Sequence, residues 1–297
     1  MLFLFLFHVE QKTEYNQIYI TCADHALTGD RFQLKHDLGC DMLITDPQPN
    51  KDELKAYYNI PDYPSHEDKK TSLFQRAYFF ARYLSTKKKL LWALKHKGSG
   101  GSLLDIGAGV GYFVRSVQAK GFECIGIETN RKARDLANTH KPNTVFEASQ
   151  LEIIKPKSQS VITLWHVLEH LPDLDFQIQT LKNLLVLNGS IIVAVPNFKS
   201  FDAHYFKSYW AAYDVPRHLW HFSQTAISNL FEKHNMEVHK IYPMTLDAYY
   251  VSLLSTKYKS GKINIIKALF IGLCSNIKAF FTGEYSSLVY VLKNKSN

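Results

Sequence analysis

Seven residues constrain this chain more than any others: Asp105-Ile106-Gly107-Ala108-Gly109-Val110-Gly111. The run that leads into them, "SLLDIG" at 102–107, has the length and composition of a buried strand, and "YFVRSVQAKG" after them reads as a helix ending at Gly121. Three glycines between a strand and a helix let the backbone turn sharply and approach a ligand that a Cβ would exclude. The helix N-terminus adds unpaired N–H groups beside that ligand. Glu128 closes the next strand, "FECIGIE", 17 residues after Gly111.

From about residue 98 short apolar runs alternate with amphipathic stretches. "RKARDLANTH" is read as a helix, "TVFEA" as a strand, "SVITLW" as a strand, "DFQIQTLKNLLVLNG" as a helix stopped by Gly189, and "SIIVAVP" as a strand. Ser223 is the N-cap of a helix over "SQTAISNLFEKHN", and "EVHKIYP" and "SSLVYVLKN" are the last strands. Such alternation predicts an α/β, doubly wound parallel sheet covered on both faces. Residues 1–70 carry turn signals and read as an appendage, 71–97 as a helical cover or linker, and 98–297 as the main domain. Two amphipathic helices at about 246–281 interrupt the connection before the last strand.

The spacing separates two ligand classes. A dinucleotide turn is written G-x-G-x-x-G, and its third glycine position holds Tyr112 here. G-x-G-x-G with an acid two residues earlier resembles the first motif of class I S-adenosylmethionine-dependent methyltransferases. Asp105 suits the donor's ammonium, and Glu128 can take both ribose hydroxyls. The resemblance covers roughly 98–243 and 285–297, and "DVPRHLWHFSQTAISNLFEKHNMEV" is similar to a subgroup that includes quinone-biosynthesis O-methyltransferases. It implies a Rossmann-like seven-stranded sheet with an antiparallel last strand and S-adenosyl-L-methionine as cofactor. The donor site it implies comprises Asp105, Gly107, Ala108, Gly109, Gly111, Tyr112, Phe113, Glu128, Thr129, Ser149, Gln150, Trp165 and His166. Two departures stand out: Leu187-Asn188-Gly189 replaces a usual Lys-Pro-Gly-Gly, and Ser149 and Gln150 lie where an acid often meets the adenine.

"WHVLEH", 165–170, also spells His166-x-x-Glu169-His170, the order of an inverted zinc-protease motif. Pro172 pushes Leu171 out of helical geometry, so the stable helix such a metal site needs has no room. The resemblance instead places this segment beside the methyl-transfer site. His170 and His218 are then the candidate bases, with a structural role for each equally open. Arg217 and Tyr213, near the carboxyl ends of the strands, are candidate substrate contacts, with a structural ion pair the alternative for Arg217. Cys22-x-x-His25 and Asp37-x-x-Cys40 look like a worn zinc ribbon, which makes Cys22, His25 and Cys40 weak metal candidates in a chain otherwise expected to hold none.

Charge and cysteine usage narrow the partners. The net charge is +8, yet the basic residues are scattered and the one tight run, Lys87-Lys88-Lys89, reads as a solvated helix face, so no nucleic-acid partner is expected. Four sparse cysteines suit a reducing, cytoplasmic setting. The opening "MLFLFLFHVE" lacks the features of a signal peptide and is too short to span a bilayer. The expected activity is methyl transfer to an O, N or C nucleophile of a small-molecule acceptor, with a peripheral membrane contact open for the 246–281 insertion. A non-catalytic S-adenosylmethionine-binding protein and a nicotinamide-dependent oxidoreductase are the rivals.

Overall fold

The computed structural model describes residues 17–58 and 73–295, the side chains of residues 51 and 73–80 excepted; the opening apolar stretch lies outside the described residues. The chain begins with β1 (Gln17–Ala23), β2 (Arg31–Asp37) and β3 (Met42–Asp46), followed by α1 (Lys51–Tyr57) and α2 (Leu73–Lys95). Next come β4 (Ser102–Ile106), α3 (Tyr112–Gln118), β5 (Cys124–Ile127), α4 (Arg131–His140), β6 (Val145–Phe146), β7 (Gln159–Trp165), α5 (Leu174–Leu184) and β8 (Leu185–Pro196). The last part holds α6 (Phe201–Phe206), β9 (Trp220–His221), α7 (Gln224–Glu232), β10 (Met236–Pro243), α8 (Asp247–Ser260), α9 (Ile265–Thr282) and β11 (Ser287–Asn294).

Seven strands form the main sheet in the order β10-β11-β8-β7-β4-β5-β6. β4, β5, β6, β7 and β8 run parallel, and β11 is antiparallel to both of its neighbours. Near-continuous burial of "LLDI", "VITL" and "IIVAV" is what a strand covered on both faces requires. One core cluster joins Leu104, Ile162, Ile191 and Tyr290 to α5 and α7, and a second on the opposite face joins Leu103, Val161 and Val289 to α2 and α3. Local chemistry sets the helix starts: Asn130, Asp173, Ser223 and Asn264 each accept a backbone N–H from their first turn.

Two boundaries differ from the sequence reading. α5 stops at Leu184 rather than running to Gly189, because Leu185 turns extended and pairs with Gln159 as the first residue of β8. The "TVFEA" strand shrinks to Val145–Phe146, since Glu147 leads into a 3₁₀ turn. The first three strands form a second, antiparallel sheet whose fourth strand is β9, in the order β1-β2-β3-β9. This N-terminal sheet therefore borrows its last strand from the segment that carries Arg217 and His218.

Candidate active site

The strand order reverses between β4 and β7, where open α/β sheets bind ligands at the carboxyl ends of the strands. On one side of that crevice lies the glycine turn. Gly107 has a φ of +69°, and a Cβ there would come within 2.3 Å of Val167 Cγ2. Gly109, at φ +53°, faces open space, leaving its backbone accessible. Its N–H donates to Glu128 Oε2 at 2.9 Å, while Glu128 Oε1 accepts from Asn130 N at 2.7 Å. Both carboxylate oxygens are thus held at the rim of the turn, each with a lone pair to spare for a hydroxyl.

Asp105 lies buried beneath the turn and accepts the Thr163 hydroxyl at 2.6 Å. Burial pushes its carboxyl up to about 7, against the Thr163 bond and the nearby Lys89 ammonium. Lys89 reaches in from α2 and stands 4.9 Å over the Trp165 ring; desolvation lowers its pKa, opposed by Asp247 and Asp105. The sequence assigned this lysine to a solvated face. Phe113 sits edge-on to Trp165 at 5.4 Å, and the Trp165 indole N–H is buried without a protein partner. Tyr112 opens α3 under Arg82, whose guanidinium is 4.2 Å from the ring. Ala108 is buried, Thr129 is exposed just after Glu128, and Ser149 and Gln150 lie on the 3₁₀ turn beyond β6. The crevice suits S-adenosylmethionine: it offers an open glycine cradle, a buried carboxylate for an ammonium, a rim carboxylate for hydroxyls and an orphaned indole donor.

The other side of the crevice is built from side chains. Val167 has a non-helical backbone and residues 168–170 form a single 3₁₀ turn, so the zinc-protease geometry does not exist. His166 takes a left-handed φ of +58°, which aims its ring between two carboxylates. Its Nδ1 is 3.5 Å from Glu169 Oε1 and its Nε2 is 3.2 Å from Asp247 Oδ2. Burial lowers the His166 pKa, but the two carboxylates outweigh it and hold it up at about 9. Glu169 is buried and neither oxygen has a hydrogen-bond partner. Burial raises its pKa, yet His166 and the neighbouring imidazoles bring it below the usual carboxylate value.

His170 and His218 do come together. Their rings are 4.5 Å apart, and one ligand-type atom each of Glu169, His170 and His218 lies within 4.8 Å of the others. Nδ1 of His170 is 2.9 Å from the Arg217 carbonyl and Nδ1 of His218 is 2.9 Å from the Ala212 carbonyl. A carbonyl can only accept, so both Nδ1 atoms carry a proton and point away from the space between the two rings. Burial and the His170 charge bring His218 down to about 4.

Three expectations need correction. Arg217 is no substrate contact: it is buried, pairs with Asp24 and Asp214 at 2.7 Å, and donates to the Tyr57 carbonyl at 3.1 Å. Its fork is satisfied in tying the N-terminal sheet to the 214–218 loop. Tyr213 is also buried, edge-on to Trp210 and His221, in the core behind that loop. The zinc ribbon fails on geometry. Cys22 pairs with Phe32 near one end of the first hairpin, whereas Cys40 lies beyond Asp37 at the other. At roughly 3.3 Å per strand residue the two ends are about 16 Å apart. His25 is stacked between Tyr209 and Tyr258, and burial pushes the Cys22 thiol up to about 12. Asp247, Glu169 and Lys89 are the site residues the sequence reading missed. Lys89 and Asp247 depend on contacts across distant segments, which no local spacing marks, and Glu169 stood out only as part of the rejected protease motif.

A family model described as a methyltransferase domain matches residues 74–241, more than half of the chain. The chain belongs to this family. The methyltransferase is 27% identical over 169 residues to a ubiquinone biosynthesis O-methyltransferase of Pelagibacter ubique, covering 53% of this chain and 68% of that one. It is 30% identical over 125 residues to an uncharacterized methyltransferase of Alkaliphilus oremlandii, covering 41% and 57% of the two. Among solved structures it resembles a SAM dependent methyltransferase from Archaeoglobus fulgidus (TM-score 0.50, 18% identity, 72% of this chain and 94% of that one). It also resembles geranyl diphosphate C-methyltransferase from Streptomyces coelicolor (TM-score 0.52, 12% identity, 82% and 97%). At these identities the structural likeness is one of fold, and the fold is the class I methyltransferase sheet that the glycine turn implied. The oxidoreductase and non-catalytic alternatives gain no support from any of these relatives.

Proposed function

We propose that this methyltransferase moves a methyl group from S-adenosylmethionine to a hydroxyl oxygen of a small-molecule acceptor, with the His170–His218 pair receiving the proton. The observation that carries the proposal is the grouping of two carbonyl-oriented imidazoles, His218 buried and His170 half-buried, beside the buried Glu169 carboxylate at the carboxyl end of β7. An amine acceptor needs no such apparatus once neutral, whereas a hydroxyl gains from a positioned base, roughly 10²–10⁴-fold in rate. The 27%-identical relative named as an O-methyltransferase agrees with this choice.

Bound S-adenosylmethionine supplies an electrophilic methyl on a sulfonium sulfur. Asp105 holds its ammonium, Glu128 its ribose hydroxyls, and the bare backbone at Gly109 lets it approach. His218 is neutral at neutral pH, so its Nε2 accepts a proton, and Glu169 stabilises the imidazolium that forms. Fixed orientation of donor and acceptor supplies the larger share of the rate, in favourable cases about 7–11 kcal/mol. A cytoplasmic setting belongs to the same proposal, supported by four free cysteines.

Transfer assays against hydroxylated, amine and carbon acceptors test the reading. His218→Ala and His170→Ala are expected to slow O-methylation by roughly 10²–10⁴-fold while calorimetry shows unchanged donor affinity. Faster turnover of amines than hydroxyls, or full activity in both variants, would overturn it.

A further inference from the structure

Helix α9 wears its large side chains on the outside. Its buried positions hold mainly small residues, Ala268, Gly272, Ser275 and Ala279. Ile266, Phe270, Leu273, Ile277, Phe280 and Phe281 face outward, with Ile266 84%, Phe280 75% and Phe281 80% exposed. At about 100° per residue these positions, together with the exposed Ile265 and Leu269 beside them, cover a face about 160° wide. That is far broader than the two-in-seven seam of a helix pair, and soluble monomers rarely leave so large a contiguous apolar patch bare.

The inner face is fixed to the protein. The Ser275 hydroxyl donates to the buried Asp202 carboxylate at 2.7 Å, and Asn276 Nδ2 donates to the Thr245 carbonyl at 2.9 Å. A Cβ at Gly272 would come within 2.6 Å of the Tyr249 ring. α9 is long and apolar enough to cross a membrane by length and composition alone, but a helix sewn along one side to α6 and α8 lies on a surface rather than spanning it.

Charge decides what that surface is. Between Asp247 and Glu284 the sequence has five lysines and no acid. Lys267 and Lys278 lean over the Tyr205 and Phe201 rings along the flank of α9. A cleft of about 350 Å³ beside the C-terminal half of α9 is lined by Lys199, His204 and Lys278 together with Glu284. A second copy of this chain would set lysines against lysines with no acid in this segment to pair them. We propose that α9 is an interfacial anchor: its outer face beds into the headgroup–acyl boundary of an anionic bilayer, and the flanking lysines meet the lipid phosphates. Apolar area plus electrostatic attraction is the combination that holds such helices at a membrane.

Flotation of the full chain with phosphatidylcholine vesicles, with and without phosphatidylglycerol, tests the anchor. Binding is expected to vesicles that contain phosphatidylglycerol, and to weaken with salt. Ile266→Glu with Phe280→Glu is expected to lower it at least about tenfold, with melting temperature and S-adenosylmethionine affinity unchanged. Lys267→Glu with Lys278→Glu is expected to remove the preference for phosphatidylglycerol. Three results would overturn the proposal. One is no flotation of the wild type. Another is undiminished flotation of the first variant. The third is a dimer in light scattering that the first variant splits, because a second copy would then be what covers the face. Donor affinity is read separately, so failure of the anchor leaves the methyl-transfer reading standing.

Discussion

The two sides of the crevice are made of different material. The proposed donor side is mostly backbone: a glycine turn, a helix N-terminus and two strand ends, with Asp105 and Glu128 fixed within a few residues of that frame. The proposed acceptor side is made of side chains gathered from 166–170, 218 and 247, with Tyr58 contributed by the N-terminal segment. A site made by local backbone leaves a local signature. A site made by convergence of distant side chains leaves none until the chain is folded.

Substitutions should separate the two sides. The largest expected effect is on the donor side. Gly107→Val places a β-branched side chain at φ +69° against Val167, and strained left-handed backbone of this kind costs of order 1–3 kcal/mol before the clash is added. Donor binding should be lost and the melting temperature lowered. A melting temperature within error of wild type would show that the turn is not packed as described.

A smaller effect follows from Asp105. Its pKa of about 7 reflects burial. Only the ionised form attracts an ammonium, so donor affinity should be full above pH 7 and fall as pH drops through it. Titration calorimetry should find binding roughly tenfold weaker at about pH 6 than at about pH 8. Asp105→Asn should bind weakly at both. A flat profile in the wild type would break the assignment.

The smallest effect belongs to the acceptor side. The Asp247 and Glu169 carboxylates raise His166 to about 9 in the fold, above its unfolded value. A raised folded pKa contributes stability that is full below the unfolded pKa, near 6.5, and lost as pH rises through about 9. Melting temperature should therefore decline between about pH 7 and 10. The decline should be shallower in Asp247→Asn, whose donor affinity stays that of wild type. Equal slopes in the two proteins would remove Asp247 from the site.

Much of this was legible beforehand, and for physical reasons. The sheet could be read because strands buried on both faces are uniformly apolar, and the glycine turn because glycine adopts φ values such as those of Gly107 and Gly109 without steric cost. Pro172 correctly argued against a protease helix at 166–170. The sequence leaves Arg217 open between a substrate contact and an ion pair because a guanidinium's partner is invisible in one dimension, and Asp24 is 193 residues away. Lys89 was misread because a run of three lysines on a helix necessarily points in several directions, and one of them led inward. Helix α5 was overextended because Leu184 and Leu185 continue an apolar pattern that both a helix and a buried strand satisfy.

The central claim is that the backbone turn and the Glu128 rim hold S-adenosylmethionine, and titration calorimetry of wild type beside Glu128→Ala tests it most directly. The account predicts micromolar affinity for the wild type, no heat with NADH, and a loss of about 10–100-fold in the variant, the scale of charge-assisted hydrogen bonds worth roughly 1.5–3 kcal/mol. Donor affinity within twofold of wild type in Glu128→Ala, with circular dichroism showing both proteins folded, would contradict it.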